Sequence, residues 1–157
     1  MTTCLILSDT HGYRKGMERL DIVLSEADMI VHLGDTSADG TYIMQKYPGK
    51  KVYLVNGNCD GEKLGENELV IEIEGVRIFA THGHLYSARS GPFKMIDRAK
   101  ELGCSALMYG HTHRAQDEEI EGIEVFNPGT LSRTAADPSY GYLVVNRDKA
   151  VFKVVYV

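Results

Sequence analysis

The chain has 157 residues, 43% of them hydrophobic and 25% charged, the balance of a globular protein with a buried core rather than a disordered or fibrous one. Its net charge of −5 and the lack of a Lys/Arg-rich tract argue against extended nucleic-acid binding, while short oligonucleotides stay allowed. No basic leader precedes the first apolar run, which stops at Asp9, far short of the ~18 residues of a membrane span, so neither secretion nor a membrane is expected.

Thr3 to Leu7 forms a predicted apolar strand that ends in the polar loop Ser8-Asp9-Thr10-His11-Gly12. Met17, Leu20, Leu24 and Ala27 then recur at helical spacing, which predicts a helix over about Arg14 to Glu26 with one buried face. A second strand, Met29 to Leu33, ends at Gly34-Asp35. A weaker helical segment, Tyr42 to Tyr47, is closed by Pro48-Gly49, and a third strand, Lys51 to Val55, ends in Asn56-Gly57-Asn58. This β-α-β-α-β order favours parallel strands with right-handed crossovers, and such sheets bind ligands outside the carboxyl ends of their strands.

Leu69, Ile71 and Ile73 alternate with Val70, Glu72 and Glu74, and Gly75 leads into Val76 to Ala80, which reads as a hairpin. Pro92 opens a helix with Phe93, Ile96, Ala99 and Leu102 on one face and Gly103 as its stop. Ser105 to Tyr109 is another buried strand, ending at Gly110-His111-Thr112-His113. Further strands follow around Glu119 to Ile120, Ile123 to Phe126, Tyr140 to Val145 and Val151 to Tyr156, with turn residues and no helix between them. No repeat or long linker breaks the chain, so residues 1–157 are expected to form a single domain. Its fold class is α/β, with two mainly mixed sheets packed face to face and helices outside, a four-layer α-β-β-α sandwich.

Five separate segments end or turn on side chains able to bind metal: Asp9 and His11, then Asp35, then Asn58, then His82, then His111 and His113. Turn formation alone would not select imidazole, yet five of the six histidines lie in these loops. Asp9 and His11, like His111 and His113, are two residues apart. In extended chain each pair projects from one side and could chelate one ion, whereas a sharp turn would let its members reach different ions. A mixed Asp, Asn and His donor set is borderline, suiting manganese, iron, nickel, cobalt or zinc better than copper(I) or an iron–sulfur cluster, and calcium would prefer more oxygens. Gly12, Gly34, Gly57, Gly83 and Gly110 beside these positions let the backbone turn tightly and approach closely.

The motifs Asp9-Thr10-His11-Gly12, Gly34-Asp35, Gly57-Asn58-Cys59-Asp60, His82-Gly83-His84 and Gly110-His111-Thr112-His113 closely resemble those of the calcineurin-like metallophosphoesterases. The likeness narrows to the small phosphodiesterases of the YfcE type, whose relatives include the retromer subunit vacuolar sorting protein 29. It extends over nearly the whole chain, including Asn127-Pro128-Gly129-Thr130. The resemblance implies a phosphoester substrate and two divalent metal ions, manganese first, with nickel, cobalt, zinc or iron as the other candidates. It also implies that Asp9, His11 and His113 hold one ion, that Asn58, His82 and His111 hold the other, and that Asp35 bridges them. Hydrolysis of a P–O ester bond by a hydroxide activated on the metal pair follows from that arrangement.

One departure is Cys59, which stands where many superfamily members have a histidine thought to protonate the leaving group. His84 is a substitute for that catalytic role, and Asp60 could orient a neighbouring group or cap a turn. Without a strong acid, substrates with good leaving groups should react most readily. His32 lies inside the second strand and reads as structural. The segment Tyr86 to Pro92, with Arg89, reads as an exposed loop at the rim of an open site.

Alternatives to a phosphodiesterase are a nuclease on short oligonucleotides and a non-catalytic assembly module of the same fold, in which loss of the ligands would be expected. The three cysteines, Cys4, Cys59 and Cys104, form neither a disulfide framework nor a zinc-finger pattern, so a reducing cytoplasm is the expected location. An exposed edge strand could pair copies into a homo-oligomer.

Overall fold

A computed structural model describes all of residues 1–157. Ten strands form two five-stranded sheets. The first has the order β10-β9-β1-β2-β3, built from β1 (Thr2–Leu7), β2 (Met29–His32), β3 (Lys51–Leu54), β9 (Ser139–Asn146) and β10 (Lys149–Tyr156). The second has the order β4-β5-β6-β8-β7, built from β4 (Glu68–Ile73), β5 (Val76–Thr81), β6 (Ala106–Met108), β7 (Gln116–Ile120) and β8 (Ile123–Asn127). β1, β2 and β3 pair in parallel, as do β5, β6 and β8, while β9, β10, β4 and β7 join antiparallel. Both sheets are therefore mixed, as the sequence predicts.

The period-two pattern of β1 explains the layering. Cys4 and Ile6 point between the sheets, where they meet Val31, Ile78, Met108 and Phe126, whereas Leu5 and Leu7 point outward against Met17, Leu20, Leu24 and Ile43 of the helices on that face. The other outer face carries α4 (Phe93–Glu101), which buries Met95, Ile96 and Ala99 against Phe79, Leu107 and Val125. Full burial of one Leu, Ile or Phe contributes about 1.5–3 kcal/mol, so the three apolar layers dominate the stability and leave the strand ends free for function.

Two helices differ from expectation. The predicted Arg14–Glu26 helix is split into α1 (Arg14–Glu18) and α2 (Asp21–Glu26), because the Leu20 amide bonds back only three residues, to the Met17 carbonyl. The helix expected over Tyr42–Tyr47 begins earlier, as α3 (Ser37–Lys46). Its first turn buries Ser37, Asp39 and Gly40 rather than apolar side chains, so hydrophobic periodicity cannot report it. The residues predicted as an exposed loop after Tyr86 contain a short 3₁₀ turn, Ala88–Ser90, whose Ala88 is buried.

Candidate metal centre

The carboxyl ends of β1, β2, β3, β5 and β6 converge, and with them the five predicted segments. Asp9, His11, Asp35, His111 and His113 all adopt left-handed backbone, with φ of 53°, 47°, 48°, 67° and 60°. Non-glycine residues in that region cost roughly 1–3 kcal/mol each and persist only where their surroundings hold them. Two glycines make the close crossing of the loops workable. A Cβ on Gly57 would lie 2.0 Å from Asp35 Oδ1, and one on Gly110 would lie 2.0 Å from Ser8 Oγ.

Each central carboxylate has one oxygen tied down and one turned inward. Asp9 Oδ2 accepts from Ser8 Oγ at 2.6 Å and from the His111 amide at 3.0 Å. Asp9 Oδ1 is fully buried with no hydrogen-bond partner, and three imidazole Nε2 atoms face it: His113 at 3.1 Å, His11 at 3.9 Å and His82 at 3.9 Å. Asp35 Oδ1 accepts from the Cys59 amide at 2.8 Å, and its Oδ2 faces His82 Nε2 at 3.3 Å and His11 Nε2 at 3.9 Å. Asn58 Oδ1 lies 3.1 Å from His82 Nε2 and 3.0 Å from His111 Nδ1. All seven predicted metal residues thus come together.

The tautomer of His82 is decisive for what this cluster can hold. Its Nδ1 lies 2.7 Å from the Leu33 carbonyl, which can only accept, so Nδ1 carries the hydrogen. In the neutral ring, Nε2 then directs a lone pair at Asn58 Oδ1, Asp35 Oδ2 and Asp9 Oδ1, a convergence of acceptors that a cation placed among them would satisfy. A ring whose far nitrogen donates to a backbone carbonyl is the usual arrangement of a metal-binding histidine. In three sets, Asp9, His11 and His113; Asp35, His82 and His111; and His11, Asp35 and Cys59, one donor atom per residue lies within 4.8 Å of the others. The orphaned Asp9 oxygen and this donor chemistry fit divalent ions.

Titration behaviour reflects the same crowding. Burial alone would lower the His82 pKa, but Asp35 and Asp9 outweigh it and raise it. The Asp9 carboxylate beside it raises that of His113. Burial opposes ionisation of Asp35, yet His82 and the Cys59 amide prevail and hold its carboxyl well below the usual carboxylate range. Burial, then the charge of His82, lowers His111 and His84, and Arg89 adds to the effect on His111.

The two residues predicted nearest to catalysis occupy different settings. Asp60 is spent on backbone: Oδ2 accepts from the amides of Asp35 at 3.0 Å and Gly57 at 2.7 Å, and Oδ1 from that of Ser37 at 2.7 Å. It clamps the β2 and β3 loops together. The His84 ring centre is 5.4 Å from that of His82 and 6.2 Å from that of His111, and its Nδ1 is buried without a partner. The Cys59 side chain is exposed, with Asn58 Nδ2 at 3.5 Å from its sulfur. Burial, then Asp35, raises its pKa, so the thiol stays protonated at neutral pH.

A supporting shell was not legible from the motifs. The Gly34 amide donates to His32 Nδ1 at 3.1 Å, so the hydrogen of this buried neutral ring is on Nε2 and is donated to Thr10 Oγ1 at 2.9 Å. Thr10 in turn donates to Asp39 Oδ2, which also accepts from the Gly12 amide at 2.9 Å, while Asp39 Oδ1 accepts from Arg14 Nε at 3.1 Å. His32 and Asp39 therefore hold the β1 and β2 loops in one network. Asn127 Nδ2 donates to the Gly110 carbonyl and to Thr112 Oγ1, both at 3.1 Å, and Thr130 Oγ1 donates to the Asp9 carbonyl at 2.7 Å. The Asn127-Pro128-Gly129-Thr130 segment thus fixes the β6 loop and the β1 loop. A polar residue inside an otherwise apolar strand is the sequence signal that marks His32 as structural, but its partners are not readable from it.

Comparison with known proteins adds the family. The model of the calcineurin-like phosphoesterase superfamily domain matches residues 2–150. The chain belongs to this superfamily. Among its relatives, the probable metallophosphoesterase YsnB of Bacillus subtilis is 31% identical, over 95% of this chain and 88% of its own length. The phosphodiesterase YfcE of Escherichia coli is 29% identical, over 91% and 88%. The fold is shared with Vps29 of Entamoeba histolytica, solved in complex with zinc, at a TM-score of 0.78 and 20% identity, covering 99% of this chain and 98% of that one.

Proposed function

We propose that this superfamily member is a divalent-metal-dependent phosphodiesterase that hydrolyses P–O ester bonds. The observation that carries the reading is the inward oxygen of Asp9, fully buried, without a hydrogen-bond donor and faced by three imidazoles. A group so placed costs several kcal/mol unless a cation completes it. On this reading Asp9, His11 and His113 would hold one ion, Asn58, His82 and His111 would hold a second, and Asp35 would serve both. When bound, the pair supplies positive charge for the phosphoryl oxygens and brings the pKa of a water to near neutrality.

The chain's own residues do the rest. Asp60 and the His32, Thr10 and Asp39 network fix the loops, so that the inward oxygens cannot swing out to solvent. His84, beside the site, can protonate the leaving alkoxide only in its imidazolium form, which its lowered pKa makes scarce, and Cys59 offers only a protonated thiol. With no strong acid, esters with acidic leaving groups react fastest. The rim carries no long cap, which suits an open site taking small diesters. Manganese is the first choice of ion for this donor set, with nickel, cobalt, zinc and iron behind it. The three cysteines are unlinked, in keeping with a cytoplasmic location, and residues 1–157 act as one domain.

An assembly role rests on likeness of fold to Vps29 alone. One experiment separates the two readings: metal-stripped protein is assayed on bis(p-nitrophenyl) phosphate and p-nitrophenyl phosphate with each divalent ion restored in turn, beside Asp35→Ala and His111→Ala. Metal-restored turnover of the diester, lost in both variants, supports the phosphodiesterase. Folded protein that turns over neither ester with any ion contradicts it.

A further inference from the structure

Beside the metal loops lies a cleft of about 300 Å³, at the lower end of the range of small-molecule sites, lined by Arg89, His111, Thr112, His113 and Arg114. No apolar side chain and no carboxylate line it, in a chain whose acidic residues outnumber its basic ones by 22 to 17. The arginine ion pairs of this protein are those of Arg14, Arg77 and Arg98, so the guanidinium groups of Arg89 and Arg114 have no carboxylate within 4.0 Å. Neither side chain donates a hydrogen bond within the protein.

Both arginines stand on fixed backbone. Arg114 follows His113 directly, and its amide donates to Thr112 Oγ1 at 3.2 Å, which Asn127 anchors in turn. Arg89 sits on the 3₁₀ turn behind buried Ala88, whose amide donates to the Gly83 carbonyl at 3.2 Å, next to His82. Two unpaired forks thus project from loops that also carry His82, His111 and His113. A guanidinium in this state is a ready partner for phosphate oxygens.

Resting on the phosphodiesterase reading, we propose that Arg89 and Arg114 form an anion subsite beside the metal centre. The substrate is accordingly a diester that bears a second phosphate group near the scissile one. A short 5′-phosphorylated oligonucleotide and a phosphorylated sugar diester share that chemistry. A single guanidinium pair in an exposed cleft reads one extra phosphate and does not hold a long nucleic acid, in keeping with the acidic balance of the chain.

The test compares the dinucleotides TpT and pTpT, and glycerophosphoinositol with its 4-phosphate. Binding is followed by NMR titration of metal-stripped protein, and kcat/KM on manganese-loaded protein, for wild type and for Arg89→Ala/Arg114→Ala. The added phosphate is expected to improve both quantities about tenfold in at least one pair, the lower end of the effect of a charge-assisted hydrogen bond, and to do so less at high salt. In the double variant that ratio falls to within about twofold of one. The pair showing the larger ratio names the source of the phosphate. A ratio near one in both pairs, or one that survives the double substitution, overturns the subsite. Failure to hydrolyse bis(p-nitrophenyl) phosphate with any ion overturns the phosphodiesterase instead, and a binding preference for pTpT that persists then still supports the subsite.

Discussion

Replacing Asp39 by alanine tests how far the metal centre depends on residues that do not touch it. The Asp39 carboxylate is 1% exposed and accepts from Thr10 Oγ1, the Gly12 amide and Arg14 Nε. Arg14 is 45% exposed and also stacks on Tyr42 at 4.1 Å, so water and the ring replace its lost partner and that ion pair contributes little. The buried Thr10 hydroxyl has no such recourse, whereas the amide of exposed Gly12 can turn to water. A stranded buried donor costs about 1–3 kcal/mol, and relief of the desolvated carboxylate offsets part of it, which leaves a loss of about 1–2 kcal/mol. That is a large share of the roughly 5–15 kcal/mol of a typical domain. The same substitution frees Asp9 and His11 to leave their left-handed conformations, so manganese affinity should fall about 10–100-fold, as for other residues that orient ligands from behind. Urea unfolding of the metal-stripped protein measures the first effect and calorimetric titration with manganese the second. A change below about 0.5 kcal/mol together with unaltered affinity would refute the claim that Asp39 holds the loop.

Three further outcomes are expected. Cys59→His retains the backbone amide that supports Asp35 and supplies an imidazole at the edge of the site, so kcat on diesters with alkyl leaving groups should rise about tenfold or more while p-nitrophenyl esters change little; an equal change on both would count against an acid role at this position. Burial pushes the Cys4 thiol up to about 12, against an unfolded value near 9. Between these values the unfolded chain binds fewer protons than the folded one, so the stability from keeping Cys4 neutral is complete below about pH 9 and is lost as pH rises toward 12. The slope is about 1.4 kcal/mol per pH unit, and denaturation of wild type and Cys4→Ala under reducing conditions should differ by that slope. Manganese at a hundredfold excess over its Kd should stabilise the stripped protein by about 2.7 kcal/mol per site, read as a rise in Tm, and His113→Ala should lose much of that gain; equal gains in both would exclude His113 as a ligand.

Much of the fold was readable because most strands obey a simple rule. The alternation of Leu5 and Leu7 with Cys4 and Ile6 specifies two buried faces, and the polar residues after each parallel strand mark the end where the loops meet. Asp9, His11, Asp35, Asn58, His82, His111 and His113 stood out as a set because turn formation, which favours Asp and Asn, does not select imidazole. Sheet order was less legible, since the pairing of β9 with β1 joins residues nearly the whole chain apart. The first turn of α3 escaped notice because Asp39 is buried to serve Thr10 and Gly12, and Gly40 because a Cβ there would lie 2.0 Å from Leu54 Cδ2. The structural reading of His32 agrees with its complete burial, but its hold on both Gly34 and Thr10 depends on two loops brought together by β-pairing. Asp60, too, discloses its three amide partners only once the β2 and β3 loops are side by side.

The most direct test of the metal-centred account is a manganese titration of the stripped protein in which bound ions per chain and hydrolysis of bis(p-nitrophenyl) phosphate are measured on the same samples. The account predicts two ions per chain in the wild type, with activity reaching its maximum only as the second is bound, and no activity at any loading in Asp35→Ala. Full activity at one ion per chain, or none at two, would contradict it.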